Sequence, residues 1–320
     1  MKEAKAADSP TLAAIREAQA RIAPHIHRTP VMTSHSLDQI AGAHLYFKCE
    51  NLQKTGSFKI RGATNAVRSL SDEDARNGVA THSSGNHAAA LASAARARGI
   101  RAYIVMPANS SEAKKSAVRN YGGEITECEP TVAARSAVAA ELLRRTGAHM
   151  VHPYDDARVM AGQGTATLEL LEEVPDLDVI LAPVSGGGLL SGTAIAARGL
   201  RPGIRVVGAE PQNADDARRS LASGKIEAAS ETQTMADGLR ATLSERTFAV
   251  LREYVDEIAP VTEEEIVEGM RLLWSRMKLV VEPSGAVTAA AVLARRFSAP
   301  GKKIGLILSG GNVDLTKLPF

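Results

Sequence analysis

Short apolar runs alternate along the chain with longer segments in which apolar residues recur at helical spacing. The run at residues 44–48 predicts a buried strand, and the segment 57–69 that follows it predicts a helix. Buried strands that alternate with helices are typical of an α/β fold, in which helices cover both faces of a mainly parallel sheet. Further strands are predicted at residues 78–81, 102–106, 124–128, 179–184, 205–209 and 303–308, and further helices at 88–98, 111–121, 132–145, 189–198, 215–223, 263–277 and 284–296.

Glycines and polar residues follow several of the predicted strands. Gly85-Asn86, Gly186-Gly187-Gly188, Glu210-Pro211 and Ser309-Gly310-Gly311 each come directly after a strand. In parallel sheets, ligands bind beyond the carboxyl ends of the strands, where such turns gather. The pattern therefore predicts an enzyme whose site is built from these turns.

The composition excludes several classes of protein. Apolar residues make up 44% of the chain and charged residues 23%, and 38 Lys and Arg face 36 Asp and Glu. This balance gives no charge excess that would suggest a nucleic-acid or membrane partner. The chain shows neither a membrane-length apolar run nor the apolar core of a signal peptide. Cys49 and Cys128 form no disulfide or metal pattern, which fits a reducing compartment, so we expect a cytoplasmic protein.

The segment Lys54-Thr55-Gly56-Ser57-Phe58-Lys59 places Lys59 just inside a predicted helix, behind a Gly-Ser turn and beside an aromatic ring. A lysine there can form a Schiff base with an aldehyde cofactor, and the free helix N–H groups suit a phosphate. An amphipathic helix start with a solvated lysine explains the same residues. The segment alone leaves both interpretations open.

Two further motifs allow a ligand or a purely structural interpretation. The N–H groups of Ser185-Gly186-Gly187-Gly188-Leu189 can converge on a phosphate, or the glycines can serve a tight turn with close helix packing. A nucleotide loop is disfavoured because GxGxxG spacing and a Walker lysine are both absent. Ser83-Ser84-Gly85-Asn86-His87 has more polar groups than a helix cap requires, although His87 is more typical of a packed side chain.

Together these motifs resemble the fold-type II pyridoxal-phosphate enzymes, in particular the serine racemase and serine/threonine dehydratase family. The resemblance runs from Arg28-Thr29-Pro30-Val31 to Ser309-Gly310-Gly311-Asn312-Val313-Asp314 and includes Glu282-Pro283-Ser284-Gly285-Ala286. It implies a tryptophan synthase β-like fold with two open parallel-sheet α/β domains. A large cofactor-binding domain would comprise residues 1–77 and 156–320, and a small mobile domain residues 78–155.

The resemblance also implies roles for individual residues. Lys59 would carry pyridoxal 5′-phosphate, with Phe58 packed against its ring and Gly238 nearby. Asn86 would contact the phenolic oxygen of the cofactor, and Ser309 its pyridine nitrogen. The phosphate would lie on Ser185, Gly186, Gly187, Gly188 and Leu189, and a small amino-acid substrate would contact Ser83, Ser84, Asn86, His87 and Arg135.

The implied reaction is β-elimination from L-serine and L-threonine to a keto acid and ammonia. A hydroxyl at the ring nitrogen leaves the cofactor a weaker electron sink, which favours prompt loss of the β-substituent. The freed amine of Lys59 would remove the α-proton as a general base. Ser84 would face the opposite side of the α-carbon, and proton exchange there would racemise serine.

The sequence leaves three alternative functions open. A threo-3-hydroxyaspartate dehydratase would use the same machinery, with Arg135 near a second carboxylate, although a surface arginine explains that residue as well. A β-replacing synthase shares the fold but requires a nucleophilic second substrate. A non-catalytic amino-acid-binding regulator would not require Lys59, Ser84 and Ser309 together.

The segment Glu210-Pro211-Gln212-Asn213-Ala214-Asp215-Asp216 marks this branch of the family. The carboxylates of Glu210 and Asp216 and the carbonyl of Ala214 are hard oxygen donors of the kind that Mg²⁺, Ca²⁺ or Mn²⁺ requires. An acidic helix start without a metal is the alternative. With the resemblance, we expect a metal in a structural or activating role.

The resemblance also implies a homodimer and raises a nucleotide effector. Lys54, Tyr121, Lys278 and Asn312 stand where the nucleotide site of animal serine racemases would need them. Ala89 and His35 depart from the residues usual there, so nucleotide regulation is left undecided.

Overall fold

The computed structural model describes residues 9–83, 85–228 and 233–320. Its strands form one sheet of six and one of four. The strands are β1 (Val31–Met32), β2 (His44–Cys49), β3 (Val79–His82), β4 (Ala102–Pro107), β5 (Gly123–Cys128), β6 (His149–Met150), β7 (Val179–Pro183), β8 (Arg205–Pro211), β9 (Glu257–Val261) and β10 (Lys303–Leu308).

The six-stranded sheet has the order β1-β2-β10-β7-β8-β9, and only the pairing of β1 with β2 is antiparallel. The four-stranded sheet has the order β5-β4-β3-β6 and is parallel throughout. The predicted α/β fold with two parallel sheets is therefore confirmed. The strands of the smaller sheet fall between residues 79 and 150, inside the interval 78–155 that we assign to a small domain, and those domain bounds stay a prediction.

Helices connect the strands, as parallel pairing requires, because a tight turn cannot join parallel neighbours. No helix within the described ranges combines the length and the apolar character that a membrane crossing needs. The helices are α1 (Leu12–Ile22), α2 (His35–Ala41), α3 (Lys59–Arg68), α4 (Asp72–Ala75), α5 (Asn86–Arg98), α6 (Glu112–Asn120), α7 (Val132–Thr146), α8 (Ala157–Glu173), α9 (Gly188–Leu200), α10 (Asp216–Ser223), α11 (Glu245–Tyr254), α12 (Glu263–Leu272) and α13 (Pro283–Leu293).

The sequence pattern missed α8, one of the central helices. It is buried from Val159 to Leu171, so it lacks the polar face that reveals a helix in a sequence. Gly162 and Gly164 also argue against a helix in the sequence pattern, because glycine usually interrupts helices. Here the two glycines allow close packing: a Cβ on Gly162 would come within 2.6 Å of the Arg61 carbonyl, and one on Gly164 within 2.8 Å of the Gly192 carbonyl.

Every predicted helix differs from the observed one at one or both ends, and two of these differences change the backbone conformation of a segment. The helix expected from residue 57 begins at Lys59, because Ser57 is extended and forms an antiparallel bridge with Gly310. The helix expected over 263–277 is α-helical only to Leu272 and ends in a π-helical turn at residues 273–277. Strands β1, β6 and β9 and helices α1, α2, α4 and α11 were not predicted either.

A buried ionic cluster anchors α3 to β2 and α8. The guanidinium of Arg61, which is fully buried, donates to both Glu50 and Glu169 at 2.7–2.8 Å. Lys48, also fully buried, donates to Glu169 at 2.7 Å and to the carbonyl of Thr29 at 2.6 Å. Because every charge has an opposite partner, the cluster holds the helix that carries Lys59 in one position.

Candidate active site

Lys59 is the first residue of α3, and its side chain is half-buried. The amine donates a hydrogen bond to the carbonyl oxygen of Pro153 at 3.0 Å and lies 5.1 Å from the centre of the Phe58 ring. Burial lowers the pKa of the Lys59 amine to about 8. A substantial neutral fraction is therefore present near neutral pH, and only the neutral amine is a nucleophile or a general base.

The C-terminal segment holds the Lys59 turn from the other side. The Phe58 N–H donates to the Ser309 carbonyl at 3.0 Å, and Ser57 bridges to Gly310. Strand β10 thus brings Ser309 next to Lys59, although the two are far apart in the sequence. The Ser309 hydroxyl is buried and donates to the carbonyl of Ser284 at 3.2 Å.

Gly238 joins this group through Ser284. Its N–H donates to the Ser284 hydroxyl at 3.0 Å, and a Cβ on Gly238 would come within 2.9 Å of that oxygen. Gly238 and Ser309 therefore both contact Ser284, and their roles towards the cofactor stay predictions. The sequence motifs did not indicate that Ser284 connects them.

The glycine loop lies between β7 and α9. Gly187 caps α9 with φ +88°, a conformation that favours glycine. A Cβ on Gly186 would approach the Tyr154 ring to 2.5 Å, so the ring lies directly against the loop. The unpaired N–H groups at the start of a 13-residue helix, beside backbone without side chains, suit a phosphate. The binding of a phosphate by this loop stays a prediction.

The side chains of Ser185 and Leu189 are engaged elsewhere. Ser185 Oγ accepts from the Ala241 N–H at 2.9 Å and donates to the Ala241 carbonyl at 3.2 Å. Leu189 is buried in the core beside β7. Both residues would therefore contribute backbone N–H groups, and their role as phosphate ligands stays a prediction.

Asn86 begins α5, and its amide donates to a carboxyl oxygen of Glu282 at 2.7 Å. Burial, reinforced by the charge of Asp237, raises the pKa of Glu282 to about 8. The carboxyl is therefore mostly neutral at physiological pH and adds little charge beside Asn86. No sequence signal pointed to this contact, because 196 residues separate the two side chains.

The contacts of the residues beside Asn86 give less support for their predicted roles in the site. The His87 ring is buried and lies 3.3 Å from the Val151 carbonyl, and desolvation together with the charge of Lys59 lowers its pKa to about 3. This describes a neutral, packed histidine, so a substrate contact from its side chain stays a prediction. Ser83 is half-buried, and its hydroxyl accepts from the Gly85 N–H at 3.4 Å. Ser84 lies outside the described residues.

A wall of aromatic residues, which the sequence did not reveal, lies beside the strand ends of β3 and β6. The His82 and His152 rings are 5.5 Å apart, and those of His152 and Tyr154 are 4.6 Å apart. Desolvation and the positive charge of Arg135 lower the pKa of His82, and desolvation lowers that of His152 to about 4. The guanidinium of Arg135 forms no ion pair or hydrogen bond with another described residue, so its positive charge lacks a partner beside this wall.

Glu210, Ala214 and Asp216 come together where β8 ends and α10 begins. All three are buried, and Glu210 Oε2 and Asp216 Oδ2 have no hydrogen-bond partner. Burial raises the pKa of Glu210 to about 8 and that of Asp216 to about 6. Two buried carboxylates with unpartnered oxygens fit a divalent cation, which would offset the free-energy cost of burying their charges.

The structure narrows the ligand set of such a cation. Asp215 is paired with Arg218 at 2.6 Å and Arg219 at 2.8 Å and is thereby occupied. No group of three or more His, Cys, Asp or Glu side chains suited to a metal occurs in the described part of the chain, so the carbonyl of Ala214 would have to complete the set. Glu210, Asp216 and the carbonyl of Ala214 therefore fit a divalent cation.

The residues of the expected nucleotide site are mostly engaged with backbone. The Lys54 amine donates to the His25 carbonyl at 2.8 Å, and that of Lys278 to the Ser275 carbonyl at 2.6 Å. Asn312 donates to the Thr55 carbonyl at 2.8 Å. Nucleotide binding stays undecided.

The model of the pyridoxal-phosphate dependent enzyme family matches residues 22–310 of this chain. The chain is 51% identical over 306 residues to the serine racemase of Oryza sativa subsp. indica, covering 94% of this chain and 90% of that protein. It is 49% identical over 311 residues to the β-hydroxyaspartate dehydratase of Paracoccus denitrificans, covering 97% and 99%. The crystal structure of the T.th. threonine deaminase superposes with a TM-score of 0.91 at 46% identity, covering 96% of this chain and all of that one.

Proposed function

Because the chain belongs to the pyridoxal-phosphate dependent enzyme family, we propose that it catalyses β-elimination from L-serine and L-threonine. The products are a keto acid and ammonia, and serine is racemised in the same site. The observation that carries the proposal is the position of Lys59: an amine with a pKa of about 8, tied by its own turn to Ser309. The 51% identity to a serine racemase supports the choice of substrate.

Each residue has a separate task in this proposal. The cofactor, when bound, supplies the electron sink that stabilises negative charge at the substrate α-carbon. Lys59 holds the cofactor and afterwards moves the α-proton. Asn86 would contact its phenolic oxygen and the Ser309 hydroxyl its pyridine nitrogen, and the N–H groups from Ser185 to Leu189 would bind its phosphate. Ser84, which lies outside the described residues, would deliver the proton whose transfer separates racemisation from elimination.

The test is the release of keto acid by the purified, cofactor-loaded protein from L-serine, L-threonine and threo-3-hydroxyaspartate. Appearance of D-serine from L-serine is measured in the same samples. Keto acid from serine or threonine that disappears in Lys59→Ala supports the proposal. Equal activity of Lys59→Ala and the unchanged protein would refute it, since the proposal assigns both the cofactor and the α-proton to this amine.

Dehydration of 3-hydroxyaspartate is the second candidate, and one observation favours it. The guanidinium of Arg135 lacks a partner among the described residues beside the aromatic wall, and a substrate carboxylate would supply one. The 49% identity to a β-hydroxyaspartate dehydratase supports the same substrate class. A kcat/KM for hydroxyaspartate well above that for serine would make this the principal activity.

We further propose a divalent cation, preferably Mg²⁺, on Glu210, Asp216 and the carbonyl of Ala214. Its role is to stabilise the turn between β8 and α10, because the two unpartnered carboxyl oxygens are then neutralised. Loss of activity on addition of a chelator, and its return with Mg²⁺, would support an activating role.

The remaining proposals concern the state of the protein in the cell. We propose a homodimer, supported by the exposed apolar side chains of Leu52 and Val280 on adjoining turns, and sedimentation analysis would test it. We also propose a cytoplasmic location, which the two buried cysteines without a disulfide support. The domain bounds 78–155 and their mobility are proposed as well, and crystals with and without substrate would test the interdomain angle.

A further inference from the structure

Three amide and carboxyl side chains form a continuous hydrogen-bonded relay beside the Lys59 turn. The Asn312 amide nitrogen donates to the Thr55 carbonyl at 2.8 Å and to the Asn86 amide oxygen at 2.9 Å. The Asn86 amide nitrogen donates to Glu282 at 2.7 Å. The relay therefore connects the segment after β10 with the start of α5, the helix that follows β3 of the smaller sheet.

The polarity of this relay is fixed at one end by the backbone. A carbonyl oxygen can only accept, so Asn312 must turn its NH₂ group, and not its oxygen, towards Thr55. The second hydrogen of the same NH₂ group then meets Asn86, which must present its oxygen. The NH₂ group of Asn86 therefore points the other way, with one hydrogen on Glu282 and one hydrogen left for a ligand.

The backbone that starts the relay is itself unusual. Thr55 has φ +61° and ψ 12°, a left-handed conformation that a β-branched residue rarely adopts. Gly56 follows with φ +73°, and a Cβ there would overlap the Asn312 side-chain oxygen. Both features turn the Thr55 carbonyl towards Asn312 and leave room for its amide.

We propose that Asn312 is a positioning residue that fixes the direction of the Asn86 amide, so that an N–H and not the oxygen faces the phenolic oxygen of the cofactor. This rests on the proposed function, in which Asn86 contacts that oxygen. A reversed amide would set two acceptors against each other, because the phenolic oxygen is an acceptor when ionised. Asn312 thus decides whether the contact attracts or repels.

Two variants of Asn312 distinguish reversal of the Asn86 amide from the simple loss of the Asn312 donor. Asn312→Ala removes the donor and leaves water to replace it, since the outer side of Asn312 is exposed. Asn312→Asp places acceptors opposite the oxygens of Thr55 and Asn86, which favours reversal of the Asn86 amide. The neutral carboxyl of Glu282 can donate to the reversed oxygen, so the reversed state has a partner.

The experiment is a double-mutant cycle without nucleotide, read out as the dissociation constant of pyridoxal 5′-phosphate and the absorption maximum of the loaded protein. We expect cofactor affinity to fall about tenfold in Asn312→Asp and about threefold in Asn312→Ala, and the absorption band to shift in Asn312→Asp. In an Asn86→Ala background both effects should vanish. Asn120→Asp, the same change at an exposed asparagine, should leave affinity and spectrum unchanged.

Thermal denaturation of the cofactor-free variants checks for a purely structural effect, and Asn312→Ala carries the same cycle if Asn312→Asp does not fold. Equal losses in both backgrounds, or a loss in Asn312→Asp no larger than in Asn312→Ala, would overturn the relay while the Asn86 contact stands. Unchanged affinity and spectrum in Asn86→Ala alone would instead remove the Asn86 contact from the proposed function, and the relay with it.

Discussion

The amine of Lys59 lies 3.0 Å from the carbonyl oxygen of Pro153, which belongs to the segment between β6 and α8. This contact joins the start of α3, the helix that follows β2 of the larger sheet, to the chain that leaves β6 of the smaller one. The carbonyl supplies no negative charge, so it leaves the effect of burial on the pKa of Lys59 largely uncompensated. No carboxylate among the described residues acts on the amine, so none stabilises its protonated, unreactive form.

The lowered pKa of Lys59 predicts how the rate at which the cofactor-free protein reacts with pyridoxal 5′-phosphate depends on pH. Only the neutral amine reacts, and its fraction falls about tenfold for each pH unit below a pKa of about 8. We therefore expect the second-order rate constant to rise from about pH 6 and to level off above the pKa. Stopped-flow absorbance would measure it, with Lys59→Ala as the control for non-covalent binding. A rise that continues to about pH 10 would show an unperturbed lysine.

Gly186 should be intolerant of a side chain. A Cβ there would lie 2.5 Å from the Tyr154 ring, so Gly186→Ala must displace either the ring or the loop. We expect cofactor affinity to fall by about tenfold or more, because strain of this size costs roughly 1–3 kcal/mol. Fluorescence titration with pyridoxal 5′-phosphate would measure the loss.

Two further variants complete that experiment. Gly203→Ala, on an exposed turn with open space around it, should bind the cofactor normally. Tyr154→Ala combined with Gly186→Ala should recover part of the affinity by removing the ring. A double variant as weak as Gly186→Ala alone would mean that the backbone of the loop, and not the ring, limits this position.

Arg135 should matter in proportion to the charge of the substrate. We expect Arg135→Ala to lower kcat/KM for hydroxyaspartate by about 10- to 100-fold, as a lost charge-assisted hydrogen bond does, and to change the value for L-serine little. Arg144→Ala, at an exposed position of the same helix α7, should affect neither. Equal losses on both substrates would assign Arg135 to the stability of the site and not to recognition of a second carboxylate.

Glu210 should control the response of the protein to divalent cations. We expect Mg²⁺ to raise the Tm of the unchanged protein but not that of Glu210→Gln, which lacks the charged ligand. Asp215→Asn should keep the full response, because Asp215 is paired with Arg218 and Arg219. Differential scanning calorimetry with and without chelator would measure both, and a response retained in Glu210→Gln would place the cation elsewhere.

The buried cluster around Arg61 should be far more sensitive than surface ion pairs. Arg61→Met leaves Glu50 and Glu169 facing each other without the guanidinium, and we expect the free energy of unfolding to fall by about 3–5 kcal/mol. Arg28→Met removes half-exposed pairs with Glu172 and Glu173 and should cost no more than about 1 kcal/mol. Urea denaturation of the cofactor-free proteins would compare them.

The sequence predicted those parts of the fold and site that local patterns determine. Strand β10 was predicted with its observed bounds because the residues between Lys303 and Leu308 form one mainly apolar run before a turn. The family motifs predicted Lys59 and Ser309 in one site, and Phe58, the neighbour of Lys59, donates to the Ser309 carbonyl. Tyr154 against Gly186 and Glu282 on Asn86 could not be predicted, because each contact depends on how distant elements pack and leaves no periodic trace. Helix α8 was not predicted for the related reason that it is buried on all sides and therefore has no polar face.

The place of β10 in the larger sheet has a consequence for synthesis of the chain. Although it is the last strand of the described residues, it lies between β2 and β7, so these two never pair with each other. Until β10 has left the ribosome, the larger sheet exists only as separate halves with unpaired edges. The strands of the smaller sheet end at Met150 and can pair well before that. A nascent chain stalled just short of β10 should thus be the species with the greatest need of a chaperone.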